Sequence, residues 1–184
     1  QKPLLLAVDH EGGKVWRFNE GFTKLPPAKH YGDLYQQDSG EALKSAHNAG
    51  WVMATELLDC GIDFSLAPVL DLEKGMSEVI GERAFARDPQ VVSELAKAFI
   101  QGMNAVGMSA TGKHFPGHGG CIPDSHIAKP VDDRTLEALL TDDLIPFTNL
   151  SGILGAVMPA HITYPAVDTV PAGFSRRWLQ DILR

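Results

Sequence analysis

Apolar runs of strand length alternate along the chain with longer stretches in which apolar residues recur at helical spacing. The strand-length runs cover residues 4–8, 62–68, 108–112 and 155–159, and the helical stretches cover 39–60, 89–106, 133–142 and 176–184. Continuous apolar runs are typical of parallel strands covered on both faces, whereas a period near 3.6 indicates a helix. Residues 18–38, which include Pro26 and Pro27, show neither pattern and predict irregular surface chain.

The order of elements is strand, loop, helix, repeated four times, with polar residues gathered after each strand. Such alternation predicts an α/β protein with a parallel sheet and right-handed crossovers. Four units amount to half of an eightfold barrel or to most of a doubly wound sheet, and the pattern leaves both open. No Gly-x-Gly-x-x-Gly follows a strand and no Walker loop is present, so a nucleotide site lacks its motif.

The stretch 113–126 is the part of the chain richest in candidate chemistry. It contains a lysine, an aspartate and three histidines, interrupted by glycines and prolines that neither helix nor strand favours. We therefore expect a functional loop beyond the third strand, with Lys113 and His114 at the carboxyl end of that strand.

Asp124 stands two residues before His126, a spacing that puts both side chains on the same side of an extended segment. The carboxylate can accept from one ring nitrogen and fix the tautomer, which leaves the other nitrogen free to transfer a proton. An imidazole suits this task because its unperturbed pKa is about 6.5. A local hydrogen-bonded turn is the plainer interpretation of an Asp-x-His tripeptide.

The same stretch offers two other chemistries. His114, His118, Asp124 and His126 are side chains that zinc accepts, but their spacing matches no zinc signature. A Ser125 nucleophile with a histidine and an aspartate lacks the nucleophile elbow of serine hydrolases.

Charged residues near the predicted strand ends are candidates for holding a polar ligand. They are Asp9, Arg17, Arg83, Lys113 and His114. Such groups commonly bind sugar hydroxyls, and each could equally be half of a structural ion pair. Lys113 is the least suited to a plain surface role, because an unpaired buried ammonium is costly.

Composition limits the classes of partner that the protein is expected to bind. The formal net charge is −7 and no basic stripe is present, so neither nucleic acid nor an anionic membrane is an expected partner. The longest apolar runs are far shorter than a bilayer span. Cys60 and Cys121 do not form a disulfide framework, and a reducing cytoplasm is the default compartment.

Several segments together resemble glycoside hydrolase family 3, and within it the bacterial β-N-acetylglucosaminidases. The matching segments, in order, are 7–17 (AVDHEGGKVWR), 67–71 (APVLD), 80–85 (IGERAF), 113–119 (KHFPGHG), 124–126 (DSH) and 157–161 (VMPAH). The block at 113–119 followed by Asp-Ser-His is specific, because family 3 β-glucosidases generally lack the Asp-x-His dyad. The resemblance extends over essentially the whole chain.

The resemblance implies a TIM-type (β/α)₈ barrel, of which residues 1–184 carry an interior part of about four units. It implies removal of terminal non-reducing N-acetylglucosamine from peptidoglycan fragments, with retention of configuration. By position, His126 is the general acid/base and Asp124 its orienting partner, while Asp9, Arg17, Arg83, Lys113 and His114 bind the sugar. It further implies a cytoplasmic monomer that acts on a small carbohydrate and needs neither cofactor nor metal.

The family nucleophile is an aspartate in a Ser-Asp-Asp run, which we expect shortly beyond Arg184. Retaining hydrolysis needs that carboxylate, so the chain alone is expected to be inactive and part of a longer enzyme. Three rivals stay open: a β-glucosidase of the same family, a non-catalytic sugar-binding half-barrel and a metal-dependent hydrolase.

Overall fold

Four parallel strands follow one another across the fold in chain order. In the computed structural model, which describes residues 4–77, 79–121 and 130–184, they are β1 (Ala7–Val8), β2 (Phe64–Ser65), β3 (Thr111–Phe115) and β4 (Ala156–Pro159). β1 pairs with β2 and β3 pairs with β4, both in parallel. A parallel bridge between Val69 and Lys113 joins the segment after β2 to β3.

This strand order decides between the two architectures that the strand–helix alternation leaves open, in favour of the barrel that the family resemblance implies. A doubly wound sheet reverses its strand order at a switch point, whereas a β/α barrel adds each strand beside the one before it. Consecutive order from β1 to β4 is the barrel pattern. Within the described residues the sheet does not close, so the chain forms part of a barrel.

Helices cover the outer side of this sheet. They are α1 (Ala28–Tyr35), α2 (Ser39–Asp59), α3 (Pro89–Ala105), α4 (Leu136–Leu140) and α5 (Leu144–Leu150), with a final π-helical segment (Arg177–Ile182). Asp38 accepts from the Glu41 amide to cap α2, and Asp88 caps α3, with Pro89 in its first turn. The predictions of α2 and α3 are confirmed.

Part of the core lies between α2 and α3, which pack closely because each has a glycine at the contact. A Cβ at Gly50 would lie 2.1 Å from the Phe99 carbonyl oxygen, and one at Gly102 would lie 2.0 Å from that of His47. Neither site can therefore accept a side chain without moving the helices apart. None of the helices in the part of the chain described here is long and apolar enough to cross a membrane.

Several sequence predictions were wrong in detail. Residues 4–6 are not covered on both faces, since Leu4, Leu5 and Leu6 are 88%, 73% and 52% exposed and β1 pairs only with β2 among the described strands. The irregular stretch 18–38 contains α1, whose buried residues are Tyr31 and Gly32 alone, too few for a visible period.

β3 lies later in the chain than the prediction of 108–112, so Lys113 and His114 are inside the strand rather than at its end. Pairing with β4 runs on to Phe115 opposite Pro159, with a register shift between Lys113 and Phe115. The predicted helix over 133–142 is shorter, and Pro146 lies in the first turn of a separate helix, α5, where proline is tolerated.

Candidate active site

Lys113 is the centre of a buried chain of alternating charges. Its side chain is 1% exposed, and its Nζ lies 2.5 Å from Asp9 Oδ1 and also contacts Glu11 Oε1. Arg83 donates to Glu11 through two nitrogens, Nε to Oε2 at 2.9 Å and Nη2 to Oε1 at 2.7 Å. The costly buried ammonium foreseen from the sequence is thus neutralised by two carboxylates, one of which a bidentate guanidinium also holds.

Asp9 is the member of this chain that faces outward. Its side chain is 41% exposed, against 8% for Glu11. Partial burial alone would raise its pKa, but the hydrogen bond and charge of Lys113, with the charges of Arg83 and Arg17, lower the pKa of Asp9 below 3.8. Asp9 is therefore an ionised acceptor with one oxygen held by Lys113, an arrangement suited to accepting hydroxyl donors.

His114 is held by a fully buried carboxylate. Asp71 Oδ2 lies 2.6 Å from His114 Nδ1, and Asp71 Oδ1 accepts from the backbone amides of His114 at 3.2 Å and His118 at 2.7 Å. Burial raises the pKa of Asp71, but the charge of His114 and these three hydrogen bonds outweigh it and lower the pKa below 3.8. An ionised carboxylate only accepts, so His114 Nδ1 carries a proton and Nε2 is the ring nitrogen that remains to meet a ligand.

His118 stands beside His114 with a different character. The two rings meet edge to face at 5.7 Å between centroids. Burial lowers the pKa of His118, and its buried Nδ1 has no hydrogen-bond partner in the described structure. Because its ring is neutral and half-buried, His118 is better suited to lining the site than to transferring a proton.

Gly117 and Gly119 approach their neighbours too closely for a side chain. A Cβ at Gly119 would lie 1.9 Å from the Leu72 carbonyl oxygen, and one at Gly117, whose φ is +145°, would lie 2.6 Å from Asp143 Cβ. Tyr164 donates its hydroxyl to the Gly117 carbonyl. The glycines that led to the prediction of a loop therefore allow this segment to pack closely against its neighbours.

Arg17 is exposed, and its loop is anchored by His10. The His10 ring is buried against Trp16, Phe18 and Phe22, and its Nδ1 accepts from the Arg17 backbone amide at 3.3 Å. Burial, with the charge of Arg17, lowers the pKa of His10. His10 is thus a neutral structural acceptor that places the Arg17 backbone at the rim of the site.

A cavity of about 290 Å³ adjoins the same charge chain. Glu11 and Arg83 line it, together with Tyr31 and Phe99, while Asp9 and Lys113 do not. The cavity therefore borders the Glu11–Arg83 pair and is not lined by the half-exposed carboxylate of Asp9.

Comparison with known proteins identifies the family. The whole chain, residues 1–184, matches the family described as "Glycosyl hydrolase family 3 N terminal domain". The chain belongs to glycosyl hydrolase family 3. This family 3 chain is similar to proteins named beta-hexosaminidase from Nitrosospira multiformis (52% identical over 183 residues, 99% of this chain and 52% of that protein) and Chromobacterium violaceum (56% over 182 residues, 98% and 51%).

A solved structure agrees with these sequence matches. NagZ from Neisseria gonorrhoeae in complex with N-trifluoroacetyl-D-glucosamine superposes on this family 3 chain with a TM-score of 0.96 at 51% identity, covering 98% of this chain and 54% of that one. The chain thus spans about half the length of the relatives it matches. Family membership and the strand order together confirm the predicted family and the partial TIM-type barrel.

The structure brings together part of the predicted site. Asp9, Arg83 and Lys113 belong to one network, and the segment after β2 links them to His114. Asp124 and His126 lie outside the described residues, so their roles stay predictions.

Metal binding by the four residues considered from the sequence is not tested either, since two of the four fall in that same segment. Across residues 4–77, 79–121 and 130–184, no group of three or more histidine, cysteine, aspartate or glutamate side chains could hold a metal ion.

Sequence reasoning missed two residues of the candidate site. Glu11 binds both Lys113 and Arg83, and its place two residues after Asp9 in a strand-end loop was an available signal. Asp71 ends the APVLD segment, but nothing local indicates that it reaches a histidine 43 positions away.

We expect Asp71→Asn in the full-length protein to lower kcat/KM roughly 10- to 100-fold, since a hydrogen bond to a charged group contributes about 1.5–3 kcal/mol. Asparagine keeps the oxygen that accepts the two amides but turns an NH₂ donor toward His114, which reverses the tautomer. The exposed Asp33, paired with Lys29, provides Asp33→Asn as the control. Equal activity of both variants would contradict the positioning of His114.

The stability of Asp71→Asn should also depend on pH in a different way from that of the wild type. Because the pKa of Asp71 is lowered on folding, its carboxylate stabilises the native state above pH 3.8, and that contribution is lost as the pH falls through the lowered value. The urea midpoint of Asp71→Asn should therefore fall less steeply than that of the wild type below about pH 4.

Proposed function

We propose that the protein containing this chain is a retaining exo-β-N-acetylglucosaminidase that acts on peptidoglycan fragments. The observation that carries the proposal is the half-exposed Asp9 carboxylate fixed by the buried Lys113, beside an oriented His114. This arrangement offers an ionised carboxylate and an oriented imidazole nitrogen to sugar hydroxyls, in a family whose similar members are named beta-hexosaminidase. Arg17 and Arg83 complete the proposed sugar-binding set.

The proposed reaction is a double displacement. An aspartate carboxylate attacks the anomeric carbon while His126 gives its proton to the departing sugar oxygen, and a glycosyl-aspartate forms. His126 then takes a proton from water, which attacks the same carbon and releases N-acetylglucosamine and the free carboxylate. Asp124 orients His126, and the pair takes the place of the second carboxylic acid that most glycosidases use.

Support for the sugar comes from the relatives, and the setting follows from the same resemblance. The similar Neisseria gonorrhoeae structure holds an N-acyl glucosamine, N-trifluoroacetyl-D-glucosamine. Recycling of cell-wall fragments in the cytoplasm, by a monomer that needs no cofactor or metal, completes the proposal. Residues 1–184 would form one partial barrel domain of that enzyme, with its nucleophile on a later strand.

The deciding experiment compares two chromogenic substrates with the full-length protein. We expect 4-nitrophenyl N-acetyl-β-glucosaminide to be hydrolysed with a kcat/KM at least about 100-fold above that of the matching β-glucoside, the discrimination of a site built to bond the acetamido group. The reverse preference would favour a β-glucosidase, sugar binding without turnover would favour a non-catalytic protein, and loss of turnover with a chelator would favour a metal-dependent hydrolase.

A further inference from the structure

Tyr164 joins the segment after β4 to the glycine-rich segment that follows β3. Its hydroxyl donates to the Gly117 carbonyl. The next residue, His118, donates its amide to Asp71 Oδ1 at 2.7 Å, and the other oxygen of that carboxylate lies 2.6 Å from His114 Nδ1. The Tyr164 hydroxyl therefore bonds to the chain directly beside the hydrogen bonds that orient the candidate site.

Thr163, the residue before Tyr164, holds the chain where the described structure resumes. Its amide donates to the Pro130 carbonyl at 3.0 Å, and its carbonyl accepts from the Asp132 amide, also at 3.0 Å. Two consecutive residues after β4 thus hold the chain on both sides of positions 122–129.

The side chain of Tyr164 is itself held in place by packing. It is fully buried, and its ring meets the fully buried ring of Trp178 edge to face, at 5.2 Å between centroids. Burial, with the charges of Asp132, Asp71 and Asp143, raises the pKa of Tyr164 well above 10. The hydroxyl therefore keeps its proton and remains a donor at neutral pH.

We propose that Tyr164 is a positioning residue for proton transfer, which acts by fixing the chain that carries His126. The inference rests on the proposed function, in which His126 is the general acid/base. Because Tyr164 is fully buried, its hydroxyl does not meet the substrate, and its effect reaches the reaction only through the chain that it holds. A general acid must lie within hydrogen-bond reach of the departing oxygen, and a misplacement of about 1 Å can cost about 100-fold in rate.

The test removes this one hydroxyl from the full-length protein. Tyr164→Phe keeps the ring against Trp178 but leaves the Gly117 carbonyl without its donor. We expect kcat/KM to fall about tenfold on a disaccharide with terminal N-acetylglucosamine, whose leaving group needs a proton. On the 4-nitrophenyl glycoside, whose leaving group departs unprotonated, kcat/KM should stay within about twofold.

Tyr35→Phe is the matched control. The Tyr35 hydroxyl donates to Glu94 Oε2 at 2.7 Å and joins α1 to α3, so its removal also breaks one side-chain hydrogen bond, but one outside the candidate site. We expect the ratio of the two kcat/KM values to be the same in this variant as in the wild type. That ratio does not depend on the folded fraction of the protein, so it can be compared even where the urea midpoint of a variant falls.

A double-mutant cycle separates positioning from general structural damage. In a His126→Ala background the acid is already absent, so adding Tyr164→Phe should lower kcat/KM on the disaccharide by less than about twofold. Losses that multiply in this background, an equal loss on both substrates, or an unchanged Tyr164→Phe would each overturn the positioning role and leave the hydrolase intact. A wild-type protein that cleaves neither substrate overturns the proposed function first, and the positioning role with it.

Discussion

We expect His126→Ala to lower kcat of the full-length enzyme about 10²- to 10⁴-fold on substrates with a poor leaving group, the usual contribution of a positioned acid or base. The departing sugar oxygen needs a proton, and alanine provides none. On a nitrophenyl glycoside, whose leaving group departs without protonation, the loss in kcat/KM should be much smaller, whereas kcat should still fall because hydrolysis of the glycosyl-aspartate needs the same residue as base. Steady-state rates on a natural disaccharide and on the nitrophenyl glycoside measure the difference.

A second arm of the same experiment tests the covalent intermediate. Once the glycosyl-aspartate has formed, azide attacks it without a general base, so azide should restore turnover of the nitrophenyl glycoside by the variant and yield a glycosyl azide. His30 is exposed on α1 and provides His30→Ala as the matched control. Full activity of His126→Ala on both substrates would remove the proton-transfer role.

Lys113→Met should produce the second large effect, on both activity and stability. Methionine fills a similar volume but removes the charge that holds Asp9 and Glu11, and removing one partner of a buried ion pair costs about 3–5 kcal/mol. We expect the urea midpoint to fall accordingly and kcat/KM to fall at least about 100-fold, because Asp9 loses the group that orients it.

The pH dependence of Lys113→Met tests the interaction between Lys113 and Asp9 independently. Lys113 lowers the pKa of Asp9, so its removal should raise that pKa and move the acid limb of the activity profile to higher pH. Lys14 lies on the same loop as Asp9 and pairs with Glu82 at 3.3 Å, with side chains 79% and 52% exposed. Lys14→Met should change neither stability nor activity appreciably, and a loss as large as that of Lys113→Met would contradict the specific role of Lys113.

Local chemistry explains which helices could be predicted. α2 and α3 carry their capping aspartates and a long apolar period, and both signals act within a few residues. α1 has no side-chain cap, and its Gly32 packs where a Cβ would lie 1.7 Å from the Phe85 carbonyl. That contact depends on a segment more than fifty positions away, which no local pattern records.

The candidate site also combines features that local sequence predicts with features that depend on distant contacts. The cost of a buried ammonium predicts that Lys113 needs a partner, and the structure supplies Asp9, 104 positions away. The choice of that partner, and of Asp71 for His114, depends on which strands lie side by side. Because the alternation of strands and helices alone leaves the strand order open, the Asp71–His114 pairing could not be derived from that pattern.

The hydrogen bond between Asp71 and the ring of His114 has a consequence for inhibitor design. With Nδ1 bonded to Asp71 Oδ2, and the His114 and His118 amides donating to the other carboxylate oxygen, the ring of His114 leaves only Nε2 to meet a ligand. An analogue with no hydrogen-bonding group at the position that meets Nε2 should therefore lose affinity, because the other ring nitrogen is already occupied.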